Sequence, residues 1–254
     1  MYDKYMSNLV ELKKSKDPNL TPLSKSHKLT PLSKSPQSDP VVVNLPEKEK
    51  NVIMVFHSTH DHNKAFDKDG DIGLFTVLQS FKHFSFQYHK ISSLESIEHH
   101  IKSLGSNQQI AHLIIMAHGT QYSIRLSDTN SISLIGGDGG IERLATTLQP
   151  KLAPNSSILL HCCLVGKGGT NGDNFAKTLS NKLPNHIIFA AEKSIYRNEL
   201  LVTVAEEDYL NGILNMNYEI DSKRNYEIYK FLTSTKKSGG SLGFSNKTLL
   251  TYKI

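Results

Sequence analysis

The stretch that decides the fold is Ser156-Ser157-Ile158-Leu159-Leu160-His161-Cys162-Cys163-Leu164-Val165-Gly166. Three large apolar residues run into a histidine, then into both cysteines of the chain, then into a turn with glycines at 166, 168 and 169. A short apolar run bounded by turn residues reads as a strand buried on both faces. A segment of the same shape, Leu113-Ile114-Ile115-Met116-Ala117-His118-Gly119, lies 45 residues upstream. Open α/β sheets build their sites beyond the carboxyl ends of their strands. A thiol and an imidazole delivered there point to a cysteine nucleophile with a histidine partner.

The flanking pattern alternates strands and helices. Asn51-Val52-Ile53-Met54-Val55-Phe56 is a first core strand, followed by a polar loop over 57–71 and a helical spacing of Ile72, Leu74, Phe75, Leu78 and Phe81. Residues 84–91 alternate as a strand does, and 93–104 fit a helix with Ser93 as N-cap and Ser96 close behind. A hairpin is expected over 122–126 and 131–135, then a helix from the glycine cluster at 136–140 to about residue 149. Phe175, Ala176, Leu179 and Leu183 mark another helix, 186–191 another strand, and 200–204 with 209–218 further β-structure. The expected fold class is therefore α/β, a doubly wound, mostly parallel sheet with helices on both faces.

The first fifty residues read differently. They hold six of the nine prolines and nine lysines, and the unit Leu-Thr-Pro-Leu-Ser-Lys-Ser occurs at 20–26 and again at 29–35. Two short copies do not make a solenoid, so residues 1–50 are expected to be a flexible arm and 51–254 a single domain.

The formal charge of +5 and pI near 9.0 owe much to that arm. No basic run is interleaved with aromatics, so nucleic acid is not an expected partner. Two adjacent cysteines in 254 residues make no disulfide framework and fit a reducing compartment. The N-terminus Met1-Tyr2-Asp3-Lys4-Tyr5-Met6 carries no apolar signal region, and no apolar run approaches the ~18 residues of a membrane span. A cytoplasmic location is expected, or delivery into another cell by a route that needs no signal peptide.

A hydrophobic strand ending in His-Gly, with a strand ending in cysteine roughly 40–50 residues later, resembles the caspase-like cysteine peptidases. That group includes caspases, gingipains, separases, the CHAT peptidases and the self-processing domains of large bacterial toxins. The match runs over residues 51–192, and Gly169-Thr170-Asn171-Gly172-Asp173-Asn174-Phe175-Ala176-Lys177-Thr178-Leu179 resembles the CHAT and toxin branches most. The caspase Gln-Ala-Cys-x-Gly signature is replaced by His161-Cys162-Cys163-Leu164-Val165-Gly166, so aspartate specificity does not follow. The resemblance implies a caspase-like fold and a peptidase that forms a thioacyl-enzyme, with His118 as base and the N–H groups of Gly119 and Cys163 as oxyanion hole.

Either cysteine could be the nucleophile. Strand alternation sets Leu160 and Cys162 on one face and His161 and Cys163 on the other. Cys163 lies where the strand gives way to the turn and has the Cys-x-x-Gly spacing of the family, so it is favoured, with Cys162 as a buried hydrophobe. His161 is expected to be structural. Gly119, without a Cβ, is expected to let substrate approach its backbone. Singly, a buried cysteine and a His-Gly turn are ordinary structure; together, on two strand ends, they read as catalysis.

Other clusters are weaker. His57, His60, Asp61 and His62 could ligate zinc, but their spacing fits no zinc motif. Asp67-Lys68-Asp69-Gly70-Asp71 resembles a calcium loop without its closing glutamate, Leu78 standing in that place. No cofactor is expected. Glu192, Lys193 and Arg197 follow the strand beside the cysteine strand and are candidates to line the substrate pocket. By analogy with the toxin branch alone, Lys193, Arg197, Lys223 and Arg224 could bind an inositol phosphate activator. The leading expectation is a cysteine endopeptidase acting on protein or peptide substrates, itself included. The alternatives are a catalytically inactive binding module of the same fold and a metal-dependent hydrolase using the His57, His60 and His62 cluster.

Overall fold

The computed structural model describes residues 51–61, 75–76, 78–135, 139–195, 200–205, 214, 216–220, 228–233 and 249–253. The expected arm over 1–50, most of the 57–71 loop and the glycine cluster before residue 139 lie outside them.

A six-stranded sheet forms the centre, in the order β11-β8-β7-β3-β1-β2. It is built from β1 (Val52–Ser58), β2 (Ser85–Ile91), β3 (Ile110–Met116), β7 (Leu152–His161), β8 (Ile187–Ala191) and β11 (Ile228–Phe231). The first five to form in sequence run parallel, and β11 closes one edge antiparallel. Strand order reverses between β1 and β3, the switch point at which doubly wound sheets open a crevice. β4 (His118–Gly119), β5 (Ser123–Arg125) and β6 (Ser131–Ser133) make a small antiparallel sheet, so the expected hairpin is present.

β1 and β3 are buried along their whole length, as their unbroken apolar runs require. Alternation divides the core. Val52, Met54 and Phe56 face one side with Leu113, Ile115, Ile158 and Leu160. That side is covered by three helices, α1 (Leu94–Lys102), α2 (Gly140–Leu148) and α3 (Phe175–Lys182), through Ile97, Ile101, Leu144, Leu148, Phe175 and Leu179. Each such side chain contributes about 1.5–3 kcal/mol on burial. Ser93 caps α1 in a reciprocal pair with Ser96: each backbone N–H is met by the other's hydroxyl.

The other face carries both a helix and strands. Residues 75–76 and 78–79 are helical, within the stretch expected to be a helix, and Leu78 packs with Ile53, Val55 and Ile114. Beside it is an antiparallel sheet of β9 (Leu200–Ala205), β10 (Met216–Ile220) and β12 (Leu249–Lys253), ordered β10-β9-β12. Val202, Val204, Met216 and Tyr218 alternate inward along β9 and β10 and are buried, so the β-structure expected over 200–204 and 209–218 adds an apolar layer to this face.

β7 is also longer than the three-residue run 158–160. Its register against β3 shifts between Ile110 opposite Leu152 and His112 opposite Ser157. Pro154 and Asn155, the latter at φ 58°, fall in that irregular stretch. They read as a loop in sequence and act as a bulge in the sheet.

Candidate active site

The carboxyl ends of β1, β3 and β7 lie along one edge of the sheet, with the switch point between β1 and β3. Met116 pairs with His161 across β3 and β7, and Ala117 N–H donates to His161 O at 3.4 Å. Two residues further along each strand stand His118 and Cys163. The predicted imidazole and thiol are therefore at matching positions beyond two adjacent parallel strands.

The two cysteines have different surroundings. Cys162 is 1% exposed and packs in the core with Val165 and Ala117. Its thiol donates to Ile115 O at 3.4 Å, and burial pushes its pKa far above the usual thiol range. Cys163 is half-buried, so its sulfur is the one within reach of a ligand.

The turn after Cys163 is constrained from several sides. Leu164 adopts φ 65°, a left-handed conformation that costs a non-glycine residue about 1–2 kcal/mol. It is held there by its N–H, which donates to Lys193 O at 3.2 Å, and by its carbonyl, which accepts from Lys167 N–H at 2.9 Å. Gly166 N–H donates to Ala191 O at 2.9 Å, and a Cβ at Gly166 would fall 2.8 Å from Ala190 O. Fully buried Asn174 ties the far end of the loop to α3: its amide donates to Lys167 O and Gly169 O, and its oxygen accepts from Lys177 N–H.

Gly119 has a different role from the expected one. A Cβ there would lie 2.7 Å from Cys163 O, 2.8 Å from Val165 Cγ1 and 3.0 Å from Cys162 Cβ. The missing side chain lets β4 close against the cysteine turn; it does not open the backbone to substrate on that side.

Asp61, considered above only as a metal ligand, sits at the imidazole. Its Oδ1 is 3.4 Å from His118 Nε2, with side-chain exposures of 6% for Asp61 and 20% for His118. His60 lies edge-on to His118, ring centroids 5.7 Å apart, and its Nδ1 meets Asp128 Oδ1 at 2.5 Å. Asp61 follows β1, well upstream of the His-Gly strand end, and no local spacing in the sequence links it to His118.

The remaining candidates divide. Glu192 is half-buried and Lys193 exposed in the loop after β8, and the Lys193 carbonyl bonds the cysteine turn directly. Arg197, Lys223, Arg224, His62 and residues 67–71 lie outside the described residues. His57 points to β2, its Nδ1 2.5 Å from Tyr88 OH. Among the described residues no group of three or more His, Cys, Asp or Glu side chains could hold a metal ion. Among them, too, no helix is long and apolar enough to cross a membrane. No protein-family model matches the chain, and no curated protein matches it.

Proposed function

We propose that the chain is a caspase-like cysteine endopeptidase with Cys163 as nucleophile and His118 as its acid–base partner. The observation that carries this reading is the placement of His118 and Cys163 two residues beyond the paired Met116 and His161, with Cys162 buried beneath.

Asp61, its Oδ1 3.4 Å from Nε2, stabilises the imidazolium that forms when His118 takes the thiol proton. The Cys163 thiolate attacks the scissile carbonyl carbon and the carbonyl electron pair moves to oxygen, where the N–H groups of Gly119 and Cys163 receive it. Such donors are worth about 10²–10³ in rate each. The proton taken from the thiol passes from His118 to the leaving amine as the C–N bond breaks, leaving a thioester. Water, deprotonated by His118, then attacks the thioester and releases the acid and the thiol.

The loop bearing Glu192 and Lys193, tied to the cysteine turn through Leu164, lines the substrate side of this site. The N-terminal segment 1–50, rich in prolines and lysines, is the part of its own chain proposed as a substrate. Iodoacetamide labelling with peptide mapping tests the reading: Cys163 is modified fast at neutral pH and Cys162 is not. Two slow thiols would favour the inactive binding module.

A further inference from the structure

We infer that His60 and Asp128 are positioning residues for the His118 imidazole, an inference that rests on the peptidase reading above. Asp61 is carried on the loop leaving β1, and side-chain contacts clamp that loop to the β5–β6 hairpin. Ser58 Oγ donates to Leu126 O at 3.0 Å and Thr59 Oγ1 to the same carbonyl at 3.3 Å. His60 N–H donates to Ser58 Oγ at 3.0 Å.

The His60 ring completes the clamp. Arg125 Nη1 lies 3.4 Å from its Nε2. Guanidinium only donates, so Nε2 accepts and Nδ1 carries the proton given to Asp128. The ring is 8% exposed, while Asp128 is 89% exposed.

These contacts close a circuit through the site. β5 places Arg125 opposite His118 on β4, Arg125 and Asp128 hold His60, and His60 precedes Asp61, which meets His118. His60 also packs edge-on against the His118 ring. The imidazole is thus met at one nitrogen by Asp61 and along one edge by His60, and Asp128 adds to the clamp through its bond to the His60 ring. This leaves a polar side chain at the tip of an exposed hairpin governing the orientation of the base, which rotamer freedom would otherwise scatter.

The test is the rate of carboxamidomethylation of Cys163 by iodoacetamide from pH 5 to 9, measured by peptide mapping on the full chain. A misplacement of about 1 Å caused away from the chemistry can cost about 10²-fold. Asp128→Ala, which loosens the clamp without removing the base, is expected to slow Cys163 labelling about tenfold at pH 7. The loss shrinks toward pH 9, where a thiolate no longer depends on the imidazole. Asp128→Asn keeps an acceptor oxygen and stays near the wild-type profile, and the melting temperature of both variants is unchanged. An Asp128→Ala profile that superposes on wild type overturns the inference and leaves the peptidase reading standing. A wild-type Cys163 that labels no faster than an ordinary thiol overturns the peptidase reading and this inference with it.

Discussion

Asp61 Oδ1 lies 3.4 Å from His118 Nε2, in a contact that keeps the carboxylate side chain 6% exposed. The two residues come from the ends of β1 and β3, on either side of the switch point, so the sheet itself brings an orienting acid to the imidazole. His118→Ala is expected to lower turnover by ~10²–10⁴, the worth of acid–base assistance. Asp61→Asn loses less, because it removes the charge that stabilises the imidazolium while leaving the base in place. Circular dichroism of both variants stays that of the wild type. Equal turnover in His118→Ala and wild type would separate β3 from the chemistry.

Gly119 tests the packing of the two strand ends. The nearest atom to a Cβ there is a backbone oxygen, Cys163 O at 2.7 Å, which cannot swing aside as a side-chain tip would. Gly119→Ala is expected to destabilise the domain by about 1–3 kcal/mol, as overpacking does. It should also slow Cys163 labelling, because the turn must shift to make room. Urea denaturation reads the first effect; an unchanged midpoint would mean that the turn yields freely.

His112 gives the fold a pH dependence. It is fully buried in β3, with Nδ1 2.7 Å from Ser157 Oγ and Nε2 2.5 Å from Tyr218 OH, so it joins the central sheet to β10. Burial lowers its pKa from 6.5 to about 3. The unfolded chain therefore binds a proton that the native chain refuses between those values. The stability is fully present above pH 6.5 and falls as pH drops toward 3, by about 1.4 kcal/mol per unit. His89, His100 and His186, also lowered by burial, act in the same direction. Denaturant titrations at pH 6, 5 and 4 should give a slope that is shallower by about 1.4 kcal/mol per unit in His112→Gln. Parallel slopes for the two proteins would remove His112 from the linkage.

The parts legible in the sequence were those written in local patterns. Continuous apolar runs marked β1 and β3, the Ser93 and Ser96 pair marked the start of α1, and the turn residues between 126 and 131 marked the β5–β6 hairpin. What stayed hidden depended on distant partners. Pro154 and Asn155 look like a loop until β3 is seen beside them. The strands expected over 200–204 and 209–218 gave no sign that they would form a second sheet on one face of the first, which Val202, Val204, Met216 and Tyr218 make by packing with Ile53, Val55 and Ile114. At the site, His118 and Cys163 could be proposed from strand ends alone. Asp61 and His60 lie 57 and 58 residues before His118 on the loop leaving β1, and nothing in the local pattern says that β3 is the neighbour this loop faces. Tyr218 meets His112 across 106 residues, a separation no local pattern records.

The measurement closest to the central claim is proteolysis of an unfolded protein substrate by wild type, Cys163→Ala and Cys162→Ala at equal concentration, with fragments of both substrate and enzyme followed by mass spectrometry. The account predicts fragments from wild type and from Cys162→Ala, none from Cys163→Ala, and a self-cleavage product cut within residues 1–50 in the two active proteins. Fragments from Cys163→Ala at the wild-type rate would contradict it.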